Sequence, residues 1–106
     1  MTENSFEYGL SEETIKLLCN YFFSRIDIEK VIIFGSRAMG TQARGSDIDL
    51  AVFTTSTEDL AGSIKSDLDD LPTPYLFDVV DYERIVNPAL KSHIDRVGKI
   101  LFQRAK

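Results

Sequence analysis

A chain of 106 residues, 43% of them hydrophobic, has material for one core and little else, so residues 1–106 are read as a single domain. The formal net charge of -5, with lysines and arginines scattered, argues against a surface that grips bulk nucleic acid by neutralising phosphates. No apolar run approaches the ~20 residues of a membrane span, and no basic stretch leads into an apolar one at the N-terminus, so the expected location is cytoplasmic.

In chain order, Ser11 ahead of Glu12 and Glu13 predicts a helix N-cap, and Ile15, Leu18, Cys19 and Phe22 follow at helical spacing toward Arg25. Cys19, the sole cysteine, falls on that apolar stripe and is read as core. Residues 30–34 form a short β-branched run, a buried strand stopped by Gly35. A second strand is predicted over residues 47–53. Thr55 with Glu58 predicts a capping box for a helix carrying Leu60, Ala61, Ile64, Leu68 and Leu71, closed by Pro72 and Pro74. Residues 75–80 read as a third strand. Asn87 as N-cap and Pro88 at the first helical position open a last helix with Leu90, Ile94 and Val97, stopped by Gly98. Residues 100–102 read as a closing strand.

This alternation predicts an α/β fold, a mixed sheet packed with helices. The connection over residues 35–46 is tight for a parallel crossover with its helix, so the first two strands are expected to be antiparallel. One short helical turn from Ser36 would then bring Gly35 and Ser36 opposite Asp47 and Asp49.

The residue types at that meeting point suggest a chemistry. Gly35 lets the backbone turn sharply, and a helical turn beginning at Ser36 offers free amides and a hydroxyl, both suited to phosphate. Asp47 and Asp49, two apart, point to one face of a strand, where like charges call for a cation. Mg²⁺ fits, because it takes few carboxylates and shares its remaining shell with water and substrate phosphates. Asp78 adds a third carboxylate in "YLFDVVD", where apolar neighbours suggest burial and hence the need for a partner. His93, the sole histidine, reads as a surface or boundary residue of the last helix. Neither a Walker A lysine nor a G-x-G-x-x-G fingerprint is present, and no cysteine–histidine cluster supports zinc.

The stretches "VIIFGSRAMG", "RGSDIDLAVF" and "FDVVD", with "YGLSEETI" before them and "HIDRVGKILF" after, resemble in order the nucleotidyltransferase superfamily of DNA polymerase beta. The likeness is to its smallest members, the minimal nucleotidyltransferases that accompany HEPN-domain partners. It implies the small nucleotidyltransferase fold, with Gly35 and Ser36 on the triphosphate of ATP and Asp47, Asp49 and Asp78 on two Mg²⁺ ions. Arg37 and Arg44 become candidates for the phosphate charge, and Asp78 a candidate acceptor of the hydroxyl proton. Met39 stands where the group often has arginine. The resemblance further implies transfer of a nucleoside monophosphate, AMP, to a hydroxyl of a partner HEPN toxin, and a role as its antitoxin. Tyrosine is the acceptor expected, since a pKa of about 10 makes it the easiest hydroxyl to activate. With no room for an acceptor-binding domain, the partner is expected to bring its own surface. A second hypothesis is a non-catalytic module that neutralises the partner by masking it.

Overall fold

The computed structural model describes residues 6–40 and 47–105. A two-stranded hairpin, β1 (Phe6–Glu7) and β2 (Leu10–Ser11), leads directly into α1 (Glu12–Ser24). Then come β3 (Ile28–Phe34), the single turn α2 (Ser36–Met39), β4 (Ile48–Thr54), α3 (Ala61–Asp69) and β5 (Phe77–Asp81). A 3₁₀ turn (Tyr82–Arg84), α4 (Pro88–Val97) and β6 (Lys99–Gln103) are the last described elements. No helix among the described residues is long and apolar enough to cross a membrane.

The main sheet runs β5-β4-β3-β6. β3 pairs antiparallel with both β4 and β6, as the short connection after β3 predicted for β4, while β4 pairs parallel with β5. Side-chain alternation gives the sheet two faces. On one, Val31, Ile33, Ile48, Leu50, Val52 and Phe77 pack against Leu18 and Phe22 of α1 and Ile64 and Leu68 of α3. On the other, Phe34 and Ala51 lie under Ile94 of α4, with Leu90 and Val97 beside it.

The caps explain where the helices begin. The Ser11 hydroxyl accepts from the Thr14 amide at 3.1 Å, and the Asn87 side chain accepts from the Ala89 amide at 2.9 Å with Pro88 in the first turn, both as expected. The end of α1 carries no basic residue of its own; Arg104 supplies one. Its guanidinium donates to the carbonyls of Phe22, Phe23, Arg25 and Ile28 at 2.9 to 3.3 Å. Cys19 is half-buried, and its thiol donates to the Leu101 carbonyl at 3.5 Å.

Three expectations are corrected. The Thr55–Glu58 capping box does not form. Ser56 accepts from the Glu58 amide and Asp59 from the Ala61 amide, each at 2.9 Å, so two local turns take up the residues before Ala61 and α3 starts later. Leu60 and Leu71 flank that helix yet still pack on the core. The strands also shift: β3 begins at Ile28, across a bulge before Lys30, and β5 begins at Phe77 instead of residue 75. Finally, the β1–β2 hairpin was not anticipated.

Candidate active site

β3 ends on Gly35, whose φ of 76° and ψ of -155° occupy a region nearly confined to glycine. The antiparallel register sets Phe34 opposite Asp49, so Gly35 arrives directly beside that carboxylate. The fit is close: a Cβ on Gly35 would lie 2.3 Å from Asp49 Oδ2 and 3.2 Å from its Cγ. On the other side of β4, the parallel register sets Asp49 opposite Asp78. The turn at residues 35–36 and two carboxylates therefore occupy neighbouring positions across three adjacent strands.

All of this lies on the face that α4 covers. Asp49 shares its side of β4 with Ala51, and Asp78 shares its side of β5 with Val80; Ala51 and Val80 both belong to the cluster around Ile94. Asp47 precedes the first residue of β4 and is exposed, so it reaches the site from the strand's entrance, not from within the strand as predicted.

Asp78 is a second revision. Its apolar neighbours suggested burial, but it is exposed, because β5 is the sheet's edge strand and Phe77 takes the inward position. The buried carboxylate of this strand is Asp81, 6% exposed, which is satisfied by Arg84 Nε at 3.3 Å and the Glu83 amide at 3.1 Å.

The carboxylates act on one another. Burial raises the Asp49 carboxyl above its ordinary range, and the negative charges of Asp78 and then Asp47 raise it further, while His93 draws it back. His93 thus faces the site. Its ring stands edge-on to Phe34 at 6.2 Å, the residue paired with Asp49. Its place three residues after Leu90, on the sheet-facing side of α4, is the signal that could have found it. Lys65 of α3 also senses the carboxylates: its ammonium is held charged first by its hydrogen bond to Asp69 at 2.9 Å, with Asp78 and Asp47 adding to the effect.

Among the described residues no three histidine, cysteine, aspartate or glutamate side chains converge closely enough to enclose a metal. The carboxylates instead form an open row across two strands. That donor set fits Mg²⁺, which usually takes one or two protein carboxylates and leaves its remaining positions to water and phosphate. Arg44 lies outside the described residues. Arg37 is 4% exposed; its Nη1 donates to the Tyr8 carbonyl at 3.0 Å, and its guanidinium lies 5.0 Å from the centre of the Tyr75 ring.

A polymerase beta nucleotidyltransferase profile matches residues 13–106. The chain belongs to this family. No curated protein matches it. Among solved structures, this nucleotidyltransferase is similar to a toxin-antitoxin complex with AMP-PNP, at 31% identity and a TM-score of 0.62 over 90% of this chain and 75% of that one. A MntA toxin-antitoxin pair bearing two aspartate-to-glutamate changes is 29% identical with a TM-score of 0.61, again over 90% and 75%. A tri-AMPylated Shewanella oneidensis HEPN toxin in complex with MNT antitoxin shares the fold at 23% identity, with a TM-score of 0.59 over 88% and 72%. The resemblance to minimal nucleotidyltransferases is thus borne out, and so is the small mixed-sheet fold it implied.

Proposed function

We propose that this nucleotidyltransferase moves AMP from ATP to a tyrosine hydroxyl of a partner HEPN toxin and so serves as its antitoxin. The observation that carries the reading is the seating of Gly35 against the Asp49 carboxylate with Asp78 next in register, which brings a phosphate-type turn and a cation-seeking row together. The similar complexes support the choice of substrate and partner, one containing AMP-PNP and another an AMPylated HEPN toxin beside its MNT antitoxin.

In this reading the amides and hydroxyl of the turn at Gly35 and Ser36 hold the triphosphate, and the absence of a side chain on Gly35 lets the chain approach it closely. Asp47, Asp49 and Asp78 would hold Mg²⁺. The ions supply relief of phosphate charge and a lowered pKa for the acceptor hydroxyl. The acceptor oxygen forms a bond to the α-phosphorus as the bond from that phosphorus to the bridging oxygen breaks, and pyrophosphate leaves. Asp78, exposed on the edge strand, takes the proton from the hydroxyl. The AMP left on the toxin adds negative charge and bulk where RNA would bind.

Mass spectrometry of the co-expressed toxin is expected to show added AMP that disappears when Asp47 and Asp49 are both asparagine. A toxin left unmodified yet inhibited equally by both forms would overturn transfer in favour of masking.

Ser36→Ala is expected to weaken ATP and GTP alike, by several-fold, because a lost hydroxyl donor removes about 1 kcal/mol and the turn reads phosphate, not base. Titration calorimetry with both nucleotides checks this. A change in base preference with triphosphate affinity intact would contradict the assignment.

A further inference from the structure

The turn α2 cannot hold its own position. It is four residues long, with glycines at positive φ on both sides, and an isolated helical turn is not stable. Its placement must be imposed from outside, and its one buried residue is Arg37.

Arg37 joins three segments far apart in sequence. Its Nη1 donates to the carbonyl of Tyr8, in the tight turn of the β1–β2 hairpin, where Tyr8 and Gly9 take φ values of 58° and 72°. Its guanidinium also lies over the ring of Tyr75, just ahead of the strand that carries Asp78. Tyr8 and Tyr75 both pack against the larger core, on the face opposite Asp49 and Asp78. The guanidinium therefore sits beside residues of the larger core.

We propose that Arg37 is a positioning residue: it braces the Gly35–Ser36 turn against the N-terminal hairpin and the Tyr75 ring, setting the geometry in which the turn meets a triphosphate. The brace rests on the reading of that turn as the triphosphate site. It differs from a direct guanidinium–phosphate contact in what can replace it. A brace needs a hydrogen-bond donor for the Tyr8 carbonyl and a ring at residue 75, whereas a phosphate contact needs the positive charge.

Calorimetric titration of the full chain with ATP and Mg²⁺ tests this, since it reads affinity and the binding-competent fraction separately. Arg37→Ala and Tyr75→Ala are each expected to weaken ATP about tenfold, as loss of a supporting shell typically does, with stoichiometry retained. Arg37→Gln, which keeps an amide donor without the charge, and Tyr75→Phe, which keeps the ring, are expected to recover most of that affinity. If Arg37→Gln is as weak as Arg37→Ala while Tyr75→Ala binds normally, the guanidinium contacts phosphate and the brace is overturned. A fall in stoichiometry with unchanged affinity would reduce Arg37 to a stabilising residue and overturn it equally. Should Arg37→Ala fail to fold, the two Tyr75 variants carry the test. Wild-type protein that binds no ATP would remove the triphosphate reading itself, whereas wild-type binding with every variant normal would remove only the brace.

Discussion

Replacing Asp47 and Asp49 together with asparagine is expected to lower Mg²⁺-dependent nucleotidyl transfer by more than about a hundredfold, because both changes strike groups assigned to hold the ions rather than their supports. The fold should survive. Asparagine keeps the shape of aspartate, and the substitution relieves repulsion in a row where burial and two neighbouring charges already raise the Asp49 carboxyl. A carboxyl whose pKa is raised on folding holds its proton more tightly in the folded chain than in the unfolded one. Its ionisation therefore destabilises the fold as pH climbs past the ordinary carboxylate value of 3.8. The double variant should melt at or above the wild-type temperature at neutral pH, and the advantage should vanish in acid, where the wild-type carboxyl is protonated as well. Added Mg²⁺ should raise the wild-type melting temperature and leave the variant unmoved. A variant that still transfers AMP, or that melts lower at neutral pH, would remove the carboxylate row from the mechanism.

Gly35→Ala should be nearly as damaging by a different route. The backbone there tolerates a side chain only at a cost of about 1–3 kcal/mol, and the new Cβ would meet Asp49 Oδ2 at 2.3 Å. Either the carboxylate rotates off the row or the turn withdraws from it, and both separate the elements that must act together. We expect a melting temperature lower by about 4–8 °C for each kcal/mol lost, together with loss of measurable ATP binding. Gly40→Ala is the control. Gly40 has nearly the same positive φ, 75°, but among the described residues a Cβ on it meets nothing within 4 Å, so it should bear the backbone strain alone and keep ATP affinity. Equal nucleotide binding by Gly35→Ala and wild type would show that the close seating is immaterial.

Much of the frame could be read from local chemistry. Ser11 and the Asn87–Pro88 pair mark helix starts whose backbone demands do not depend on the rest of the fold, and the shortness of residues 35–46 settles strand direction by reach alone. Gly98 marked a stop for a reason other than the one expected. It has an ordinary φ of -64°, and a Cβ there would meet Ile32 Cγ2 and the Ile94 carbonyl, each at 2.5 Å. What escaped the sequence depends on which face or edge a residue occupies. Asp78 and Asp81 lie in the same apolar setting, and only the edge position of β5 and its register decide which one is buried. His93 gains its proximity to the carboxylates from α4 packing over Phe34. The contact of Arg37 with the Tyr8 carbonyl could not be read either, because "YG" lacks the Asn-Gly or Asp-Gly signal that announces such turns.

The cap on α1 bears on how this protein is made. Arg104 reaches the Phe22 carbonyl across 82 positions, and β6, which carries the chain to it, is also the strand that closes the open edge of β3. During synthesis α1 therefore waits for the Arg104 guanidinium, and β3 for its partner on that side, until the 82 positions between Phe22 and Arg104 have been added. An emerging chain in that condition offers a sticky strand edge to its neighbours.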